Sequence, residues 1–375
     1  MLGLVYDGEK AEIRDDLAVR APGPTEVKVR LVAAGLCHSD LSVIDGIIPW
    51  NVPCVLGHEG AGVVAEVGEA VTHVAPGDHV VLHTLAFCGL CKHCVTGRPA
   101  HCRKSMGNAS QPFTLAGEPA WNFAGASFFS EYSVVQANQC VKIPEDIDLS
   151  VACLIGCGVL TGIGSVWNRT DLGLGDTCVV IGVGGVGLNV IQGARAKGAS
   201  RIIAVDTLAE KEPFARDFGA TDFICSTPDL DLPARVREMV PFDGPATTAP
   251  NTGPFGAGGV DYVFECVGHP ALLQAALDML DWGGTAVAVG VPAPTTTVET
   301  RVTLLTHVER NLTGSRAGSH RPQKDIPLIV DMYRRGIIKL DELVSARYPL
   351  TEWRRAADDL HDGKLARGVL QISEP

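Results

Sequence analysis

The segment from Cys178 to Asp206 constrains the fold more than any other part of the chain. It begins with an apolar run rich in β-branched residues, passes through the glycine-rich stretch Gly182–Gly187, and then becomes apolar at helical spacing. A second apolar run, Arg201–Val205, ends in Asp206. This order of strand, glycine turn, helix, strand and terminal acid predicts a β-α-β unit of a parallel sheet.

The glycines of this unit stand where a bound dinucleotide needs small residues. Gly182 permits a tight turn, Gly184 lets the backbone approach a pyrophosphate, and Gly187 lets the helix pack closely on the strand. The pyrophosphate would lie at the helix N-terminus, where unpaired amide groups favour an anion. Asp206 is placed to bind the adenosine ribose, and its charge would repel a 2′-phosphate. The unit therefore predicts binding of NAD rather than NADP; the alternative is a structural glycine turn.

Length and composition limit the number of domains, the partners and the compartment that the chain can have. A chain of 375 residues is long enough for two domains, and 46% hydrophobic residues can supply their cores. A formal net charge of −12 argues against nucleic acid or an anionic membrane as a partner. No apolar run reaches the roughly 18 residues of a membrane span, and the N-terminus lacks the features of an export signal. Twelve cysteines in such a chain favour metal binding over disulfides and indicate the cytoplasm.

Hydrophobic periodicity divides the chain into a β-rich part and an alternating part. Up to about residue 155, short runs such as Val27–Val32 are separated by Gly, Pro and Asp, which is typical of a small antiparallel barrel. From about 158 to 315 strands alternate with helices, which predicts a parallel sheet. Two helices near 325–335 and 351–362 and a final strand near 368–372 complete the chain. The stretch 241–259, rich in Pro, Gly, Thr and Ala, is typical of a long exposed loop.

A cluster of four cysteines gives the sharpest indication of a metal. Two Cys-x-x-Cys steps share a middle cysteine and a fourth follows after seven residues, so four thiolates could enclose one tetrahedral ion: Cys88, Cys91, Cys94 and Cys102. Structural zinc in a lobe at about 86–104 is the favoured interpretation, and an iron–sulfur cluster, which uses similar spacing, is the alternative. Six other cysteines mostly lie in apolar runs and are predicted to be core residues: Cys54, Cys140, Cys153, Cys178, Cys225 and Cys266.

Three further motifs have the form of a site but are scattered along the chain. They are Cys37-His-Ser-Asp40, Gly57-His58-Glu59 and Gly156-Cys157-Gly158. Spacing alone does not show that they meet, and isolated histidines are usually structural. If they do meet, two thiolates, one imidazole and an open position would make a catalytic zinc site.

Together with Thr161-Gly162 and the nucleotide unit, these motifs resemble those of the zinc-dependent medium-chain alcohol dehydrogenases. The resemblance extends over essentially the whole chain. It implies a GroES-like catalytic domain, a partly open β-barrel formed by residues 1–157 and 316–375. A Rossmann domain, a doubly wound parallel sheet, would be inserted at 158–315. It also implies two zinc ions per chain, the catalytic one bound by Cys37, His58 and Cys157.

The resemblance assigns roles to other residues as well. Ser39 would touch the substrate oxygen and start the path of the proton to solvent, although it could instead cap the following helix. Asp40 would hold the outer nitrogen of His58, and Glu59 would lie just behind the zinc. Contacts with NAD are implied for His38, Thr161, Gly182, Gly184, Gly185, Val186, Gly187, Asp206, Lys211, Val291 and Arg367. The charges of Lys211 and Arg367 could instead be ordinary solvated ones, and the two valines could be plain core.

The implied reaction is hydride transfer between a primary alcohol or aldehyde and NAD, assisted by zinc as a Lewis acid. Ser42 stands where many relatives carry a histidine that passes the proton to water, so another group must complete the relay. Thr84 stands where several relatives carry a large aromatic residue, which indicates a roomier pocket. Three alternatives remain: a thiol-dependent formaldehyde dehydrogenase acting on S-hydroxymethyl adducts, an enzyme with permanently bound nucleotide, and a non-catalytic nucleotide-binding scaffold. The family also implies a homodimer or homotetramer.

Overall fold

A computed structural model describes residues 1–105, 109–241 and 258–374. The chain divides into two compact units, Met1–Leu160 together with His320–Pro375, and Thr161–Ser319. The first unit is thus built from both ends of the chain, and the second is continuous in sequence. The loop predicted at 241–259 lies, apart from its ends, outside the described residues.

Two open sheets make up the first unit. The smaller has the strand order β2-β1-β5-β9-β8-β3, with these bounds: β1 Gly3–Tyr6, β2 Ala11–Arg14, β3 Leu17–Val19, β5 Cys54–Val55, β8 Phe113–Leu115 and β9 Glu118–Asn122. The larger has the order β11-β7-β6-β4-β19-β18, with β10 also paired to β4: β4 Glu26–Leu36, β6 Glu59–Val67, β7 His79–Leu82, β10 Tyr132–Gln136, β11 Cys140–Lys142, β18 Val344–Pro349 and β19 Arg367–Gln371. Neither path closes on itself, which agrees with the partly open barrel expected from the sequence.

Strand β4 is the centre of the larger sheet and leads into the site. Its side chains Val27, Val29 and Leu31 are fully buried in the main apolar core of the unit. Strand β19, from the far end of the chain, pairs antiparallel with β4, so that Gly368 lies opposite Leu36. Arg367 and Cys37, the neighbours of that pair in sequence, are thereby brought to the same edge of the sheet.

The second unit contains a parallel sheet with the order β14-β13-β12-β15-β16-β17. Its strands are β12 Thr177–Ile181, β13 Arg201–Asp206, β14 Asp222–Cys225, β15 Val260–Glu265, β16 Leu280–Ala288 and β17 Asn311–Gly314. The inner strands β12 and β13 have continuous apolar runs, Cys178–Ile181 and Ile202–Val205, as is typical of strands that are covered on both faces. Strand β15 is apolar at Val263 and Phe264 and carries Asp261 and Glu265 near its ends. This is the doubly wound sheet predicted from the β-α-β unit.

The helices of the described ranges are mostly short. In the first unit they are α1 His38–Ile44, α2 Lys92–Val95, α3 Leu149–Ala152, α10 Pro322–Arg334 and α11 Trp353–His361. In the second they are α5 Gly185–Lys197, α6 Glu212–Phe218, α7 Leu232–Met239, α8 Pro270–Met279 and α9 Val302–Thr306, while α4 Gly158–Trp167 contains the boundary between the units. Among the described residues no single helix is long and apolar enough to cross a membrane. One bent pair, Leu149–Gly156 with Gly158–Trp167, meets the criterion by length and composition only.

One prediction about the cysteines was wrong. Cys54, Cys140, Cys153 and Cys178 are buried as expected and Cys266 is partly buried, but Cys225 is exposed. Cys225 is the last residue of β14, which lies at one end of the strand order. An apolar run at the edge of a sheet therefore does not ensure burial of each of its side chains.

Candidate functional site

The three scattered motifs of the sequence meet in the first unit. Cys37 follows β4 and caps α1, His58 immediately precedes β6, and Cys157 ends the short 3-10 helix Cys153–Gly156. The donor atoms of Cys37, His58, Glu59 and Cys157 all lie within 4.8 Å of one another. The fold therefore gathers two thiols, an imidazole and a carboxyl group from three segments that are far apart in sequence.

Asp40 fixes the orientation of His58. The Nδ1–H group of His58 donates to Oδ1 of Asp40 at 2.9 Å, and the same oxygen accepts from the Gly57 amide at 3.2 Å. The Cys37 amide donates to the other carboxylate oxygen at 3.2 Å. Asp40 is buried, with 1% exposure. Because Nδ1 is occupied in this way, Nε2 is the nitrogen that His58 has available for a metal.

Glu59 is a buried carboxyl group whose two oxygens have no hydrogen-bond partner among the described residues. Its nearest cation is Arg367, whose Nη1 lies 3.5 Å from Oε1. Both side chains need glycine neighbours: a Cβ atom at Gly35 would lie 2.2 Å from Oε2 of Glu59, and one at Gly158 would lie 2.3 Å from Nη2 of Arg367. The packing thus reserves space for a buried carboxyl group and a buried guanidinium.

The electrostatics of this group suit a bound cation. The hydrogen bond with Cys157 and the charges of Arg367 and His58 hold the pKa of the Cys37 thiol well below its usual value, despite burial. Burial raises the pKa of Glu59 to about 7, although Arg367 opposes that rise. Burial lowers the pKa of His58, but Asp40 more than compensates and raises it well above its usual value. Thiolate and imidazole donors with an unsatisfied carboxyl group form a set that fits a zinc ion.

The four cysteines of the lobe also come together. The sulfur atoms of Cys88, Cys91, Cys94 and Cys102 lie within 4.8 Å of one another. Backbone amides of Leu90 and Cys91 hold the pKa of Cys88 down to about 6, and the Cys91 amide donates to its sulfur at 3.3 Å. Amide donors that favour a thiolate, with four sulfurs converging, fit a closed tetrahedral zinc site. His93 and His101 form a ring contact at 5.8 Å beside this group.

The nucleotide motif of the second unit has the geometry that its glycines predict. Gly182 has a φ of +94°, and a Cβ atom at Gly187 would lie 1.8 Å from the Gly182 carbonyl oxygen. Helix α5 begins at Gly185 with Gly184 as its N-cap. The Asp206 carboxylate accepts from the Val183 amide at 2.8 Å and from Lys211 at 3.2 Å. The acid is therefore held beside the glycine loop at the carboxyl ends of the strands.

The remaining predicted cofactor contacts fall into both units. Thr161, Val186 and Val291 belong to the second unit, and Val291 is 71% exposed, so it is not a core residue. Val186 is half-buried. His38, which is exposed, and Arg367, which is buried, belong to the first unit.

Sequence analysis did not find the aromatic residues beside the candidate metal group. The Phe123 ring lies edge-on to the His58 ring, with centroids 5.6 Å apart, and edge-on to Trp50 at 5.2 Å. The indole N–H of Trp50 donates to the Asn122 carbonyl at 2.7 Å. We call Trp50 and Phe123 the aromatic wall. No sequence motif marks it, because its two members are 73 residues apart and isolated aromatics are usually core residues.

Comparison with known proteins identifies the family. Residues 23–145 match the model of the alcohol dehydrogenase GroES-like domain, and residues 185–334 match that of the zinc-binding dehydrogenases. An alcohol dehydrogenase class-3 of Pisum sativum is 37% identical over 99% of this chain and 97% of its own length. An S-(hydroxymethyl)glutathione dehydrogenase of Saccharomyces cerevisiae is 35% identical over 99% and 96%.

A solved structure gives the same result. The benzyl alcohol dehydrogenase of Acinetobacter calcoaceticus superposes with a TM-score of 0.89, at 31% identity over 99% of both chains. Matches of this extent cover both units, including the β-rich part and the parallel sheet. The chain therefore belongs to the zinc-dependent alcohol dehydrogenases, and it is an enzyme that transfers hydride between an alcohol or aldehyde and NAD.

Proposed function

We propose that the enzyme oxidises apolar primary alcohols, including ring-bearing ones, to aldehydes at the group formed by Cys37, His58 and Cys157. The observation that carries this proposal is the convergence of their donor atoms, with that of Glu59, within 4.8 Å. These three residues would hold the catalytic zinc, and the four-cysteine lobe would hold a structural one. Bound zinc supplies a Lewis acid, and NAD accepts the hydride.

The residues around this group have separate tasks in the proposed reaction. Asp40 keeps His58 in the tautomer that leaves Nε2 available. Ser39, whose Oγ lies 3.9 Å from Sγ of Cys37, receives the hydroxyl proton of the alcohol and passes it toward solvent. Ser42 cannot hold that proton at neutral pH, so water completes the path. Asp206, which accepts from Lys211 beside the glycine loop, binds the adenosine ribose.

The aromatic wall supports an apolar substrate. Trp50 is half-buried and packs, with Leu41, Ile44 and Ile48, against the core that contains Phe123. An apolar surface beside the reacting group favours a substrate whose transfer out of water costs little free energy, such as a benzyl or cinnamyl alcohol. The name of the benzyl alcohol dehydrogenase from Acinetobacter calcoaceticus points to the same class of substrate.

The charges of the chain segment around the candidate metal group argue against a thiol adduct as the substrate. Between Leu31 and Cys91 the sequence has six Asp or Glu residues and neither Lys nor Arg. This segment includes α1, the loop that carries Trp50, and His58. An adduct such as S-hydroxymethylglutathione carries carboxylates, which would find neither Lys nor Arg in this segment. The relatives named S-(hydroxymethyl)glutathione dehydrogenase keep the adduct as the second candidate.

An exposed apolar edge supports a homodimer. Strand β17 ends the strand order of the second unit, and Leu312 within it is 43% exposed. Trp282 and Val302 are 53% and 66% exposed in the same unit. Open strand edges with exposed apolar side chains tend to be covered by a partner, and a second copy would do this by symmetry. Both cysteine groups must stay reduced to bind metal, which supports the cytoplasm as the compartment.

The proposal is tested by following NADH formation from NAD with benzyl alcohol, ethanol and S-hydroxymethylglutathione as alternative substrates. We expect the highest kcat/KM with benzyl alcohol and two zinc ions per chain. Cys157→Ala should abolish turnover and leave one zinc. The matched control is Cys153→Ala, which removes another buried cysteine, one that donates to the Ser150 carbonyl, and should keep both activity and metal.

Turnover of S-hydroxymethylglutathione alone would move the enzyme to the second candidate. Retention of two zinc ions by an inactive Cys157→Ala variant would contradict the ligand assignment. If none of the substrates produces NADH although the protein holds two zinc ions, permanently bound nucleotide becomes the favoured alternative. Turnover with an artificial electron acceptor would reveal it.

A further inference from the structure

The strand order of the second unit defines a crevice with two walls. Strands β13 and β14 lie on one side of β12, and β15, β16 and β17 lie on the other. Ligands of open α/β sheets bind at the carboxyl ends of the strands where the order reverses, here between β12 and β15. The glycine loop after β12 is one wall. The segment Cys266–His269, which follows β15 and which we call the β15 turn, is the other.

A buried carboxyl group at the end of β15 organises this turn. Glu265 is 1% exposed, and its Oε1 accepts hydrogen bonds from the amides of Val267 at 2.9 Å and Gly268 at 2.8 Å. Oε2 accepts from the Gly268 amide at 3.0 Å. Burial raises the pKa of the Glu265 carboxyl, and these amides oppose the rise. A carboxylate suits the position because it only accepts, and the amides of Val267 and Gly268 both donate to it.

The β15 turn is packed tightly between the glycine loop and the end of β16. The Cys266 amide donates to the Ile181 carbonyl at 2.9 Å. A Cβ atom at Gly182 would lie 2.8 Å from Cγ2 of Val267, and one at Gly290 would lie 2.1 Å from the Gly268 amide nitrogen. A displacement of the β15 turn would therefore also displace the glycine loop and the segment that follows β16.

The turn also presents apolar side chains to the outside of the unit. Val267 is 53% exposed, and Val291, which follows Gly290, is 71% exposed. A Cβ atom at Gly268 would lie 3.1 Å from the Val291 amide nitrogen, so the turn and this segment are in contact. Two exposed valines at the carboxyl edge of the sheet form a surface suited to a flat, apolar ring face.

We propose that Glu265 is a positioning residue for the nicotinamide end of the cofactor. Its carboxylate fixes the β15 turn, and the turn sets Val267 and Val291 against the nicotinamide ring. Glu265 does not touch the cofactor in this proposal; it acts through the Val267 and Gly268 amides. The inference rests on the proposed function in one respect, the binding of NAD, and it takes from the family resemblance the contact between Val291 and NAD.

Asp261 provides a matched control at the other end of the same strand. Its carboxylate accepts from the Thr177 amide and the Thr177 hydroxyl, both at 2.8 Å, and so joins β15 to β12 at their amino ends. Asp261→Ala removes two hydrogen bonds of a carboxylate at the opposite end of β15, where they lie away from the β15 turn. A purely structural role of Glu265 would make the two variants behave alike.

The experiment measures the dissociation constant of NADH by its fluorescence, with hydrogen exchange of the full-length protein in the absence of nucleotide. For Glu265→Ala we expect the dissociation constant to rise about tenfold, since hydrogen bonds to a charged group are lost. The KM for NAD should rise more than kcat falls, and exchange of the Val267 and Gly268 amides should accelerate. Glu265→Gln, which keeps one acceptor oxygen, should recover most of the affinity. Asp261→Ala should bind NADH as the wild type does.

Unchanged NADH affinity in Glu265→Ala, or an equal loss in Asp261→Ala, would overturn the assignment of Glu265 while leaving the proposed function intact. If Glu265→Ala does not fold, Glu265→Gln decides alone: faster exchange of the Gly268 amide with a small loss of NADH affinity supports the assignment, and wild-type values of both overturn it. Failure of the wild-type protein itself to bind NADH would overturn the proposed function and this inference together.

Discussion

The Asp40 carboxylate holds two residues of the candidate metal group, His58 and Cys37, in position through hydrogen bonds. It contacts His58 through the ring and Cys37 and Gly57 through their amides, so it couples α1 to the entry of β6. It is the residue whose loss would disturb the candidate metal group without removing a ligand. Its position three residues after Cys37 is visible in sequence, but its three partners are not.

Asp40→Asn should therefore weaken retention of the catalytic zinc by about tenfold to a hundredfold, the usual effect of losing a carboxylate behind a histidine ligand. Titration with a competing chelator measures this, and the zinc of the four-cysteine lobe serves as an internal reference. Asp45→Asn, at the C-terminal end of the same helix, is the matched control and should retain zinc normally. Equal retention by the wild type and Asp40→Asn would remove Asp40 from the proposed role.

At the scale of elements, strands β13 and β14 are joined by an ion pair. Nε of Arg201 lies 2.8 Å from Oδ2 of Asp222, and Nη2 lies 2.9 Å from Oδ1. The guanidinium holds the pKa of Asp222 below its ordinary value of 3.8. A carboxyl group with a lowered pKa stabilises the fold above its ordinary pKa, and this stabilisation is lost as pH falls through the folded value.

Asp222→Asn should accordingly cost at most about 1 kcal/mol of unfolding free energy at neutral pH, because both side chains are partly exposed. The difference from the wild type should shrink as pH falls below the ordinary Asp pKa of 3.8 and through the lower pKa of the folded-state carboxyl. Urea unfolding at a series of pH values measures it, with Asp229→Asn, an exposed acid of the following loop, as the control. A difference that stays constant into acid would show that the ion pair contributes nothing.

For the whole molecule, the exposed edge of the second unit predicts assembly. Leu312→Asp should convert a dimer into a monomer, because a carboxylate on β17 would be buried without a partner in the interface. Light scattering after size-exclusion chromatography measures the mass. Leu174→Asp changes a leucine of the same unit that is 91% exposed and lies away from β17, and it should leave the dimer intact. A monomeric wild type would contradict the proposed interface.

The sequence by itself determined the nucleotide unit, the doubly wound sheet and the four-cysteine lobe. These features are local, because glycine spacing, strand periodicity and Cys-x-x-Cys steps act within about 30 residues of chain. Strands β4 and β13 lie where the apolar runs Val27–Val32 and Arg201–Val205 predicted.

Only the tertiary structure decided which distant residues meet. Cys37, His58 and Cys157 come together because β4 pairs with β6 and the 3-10 helix Cys153–Gly156 packs against the larger sheet. Arg367 joins them because β19 pairs with β4. The aromatic wall and the anchoring role of Glu265 depend on packing and on amide directions, which leave no periodic trace in the sequence. The sequence shows which side chains can bind a metal or a nucleotide, whereas burial and strand pairing determine which of them contact one another.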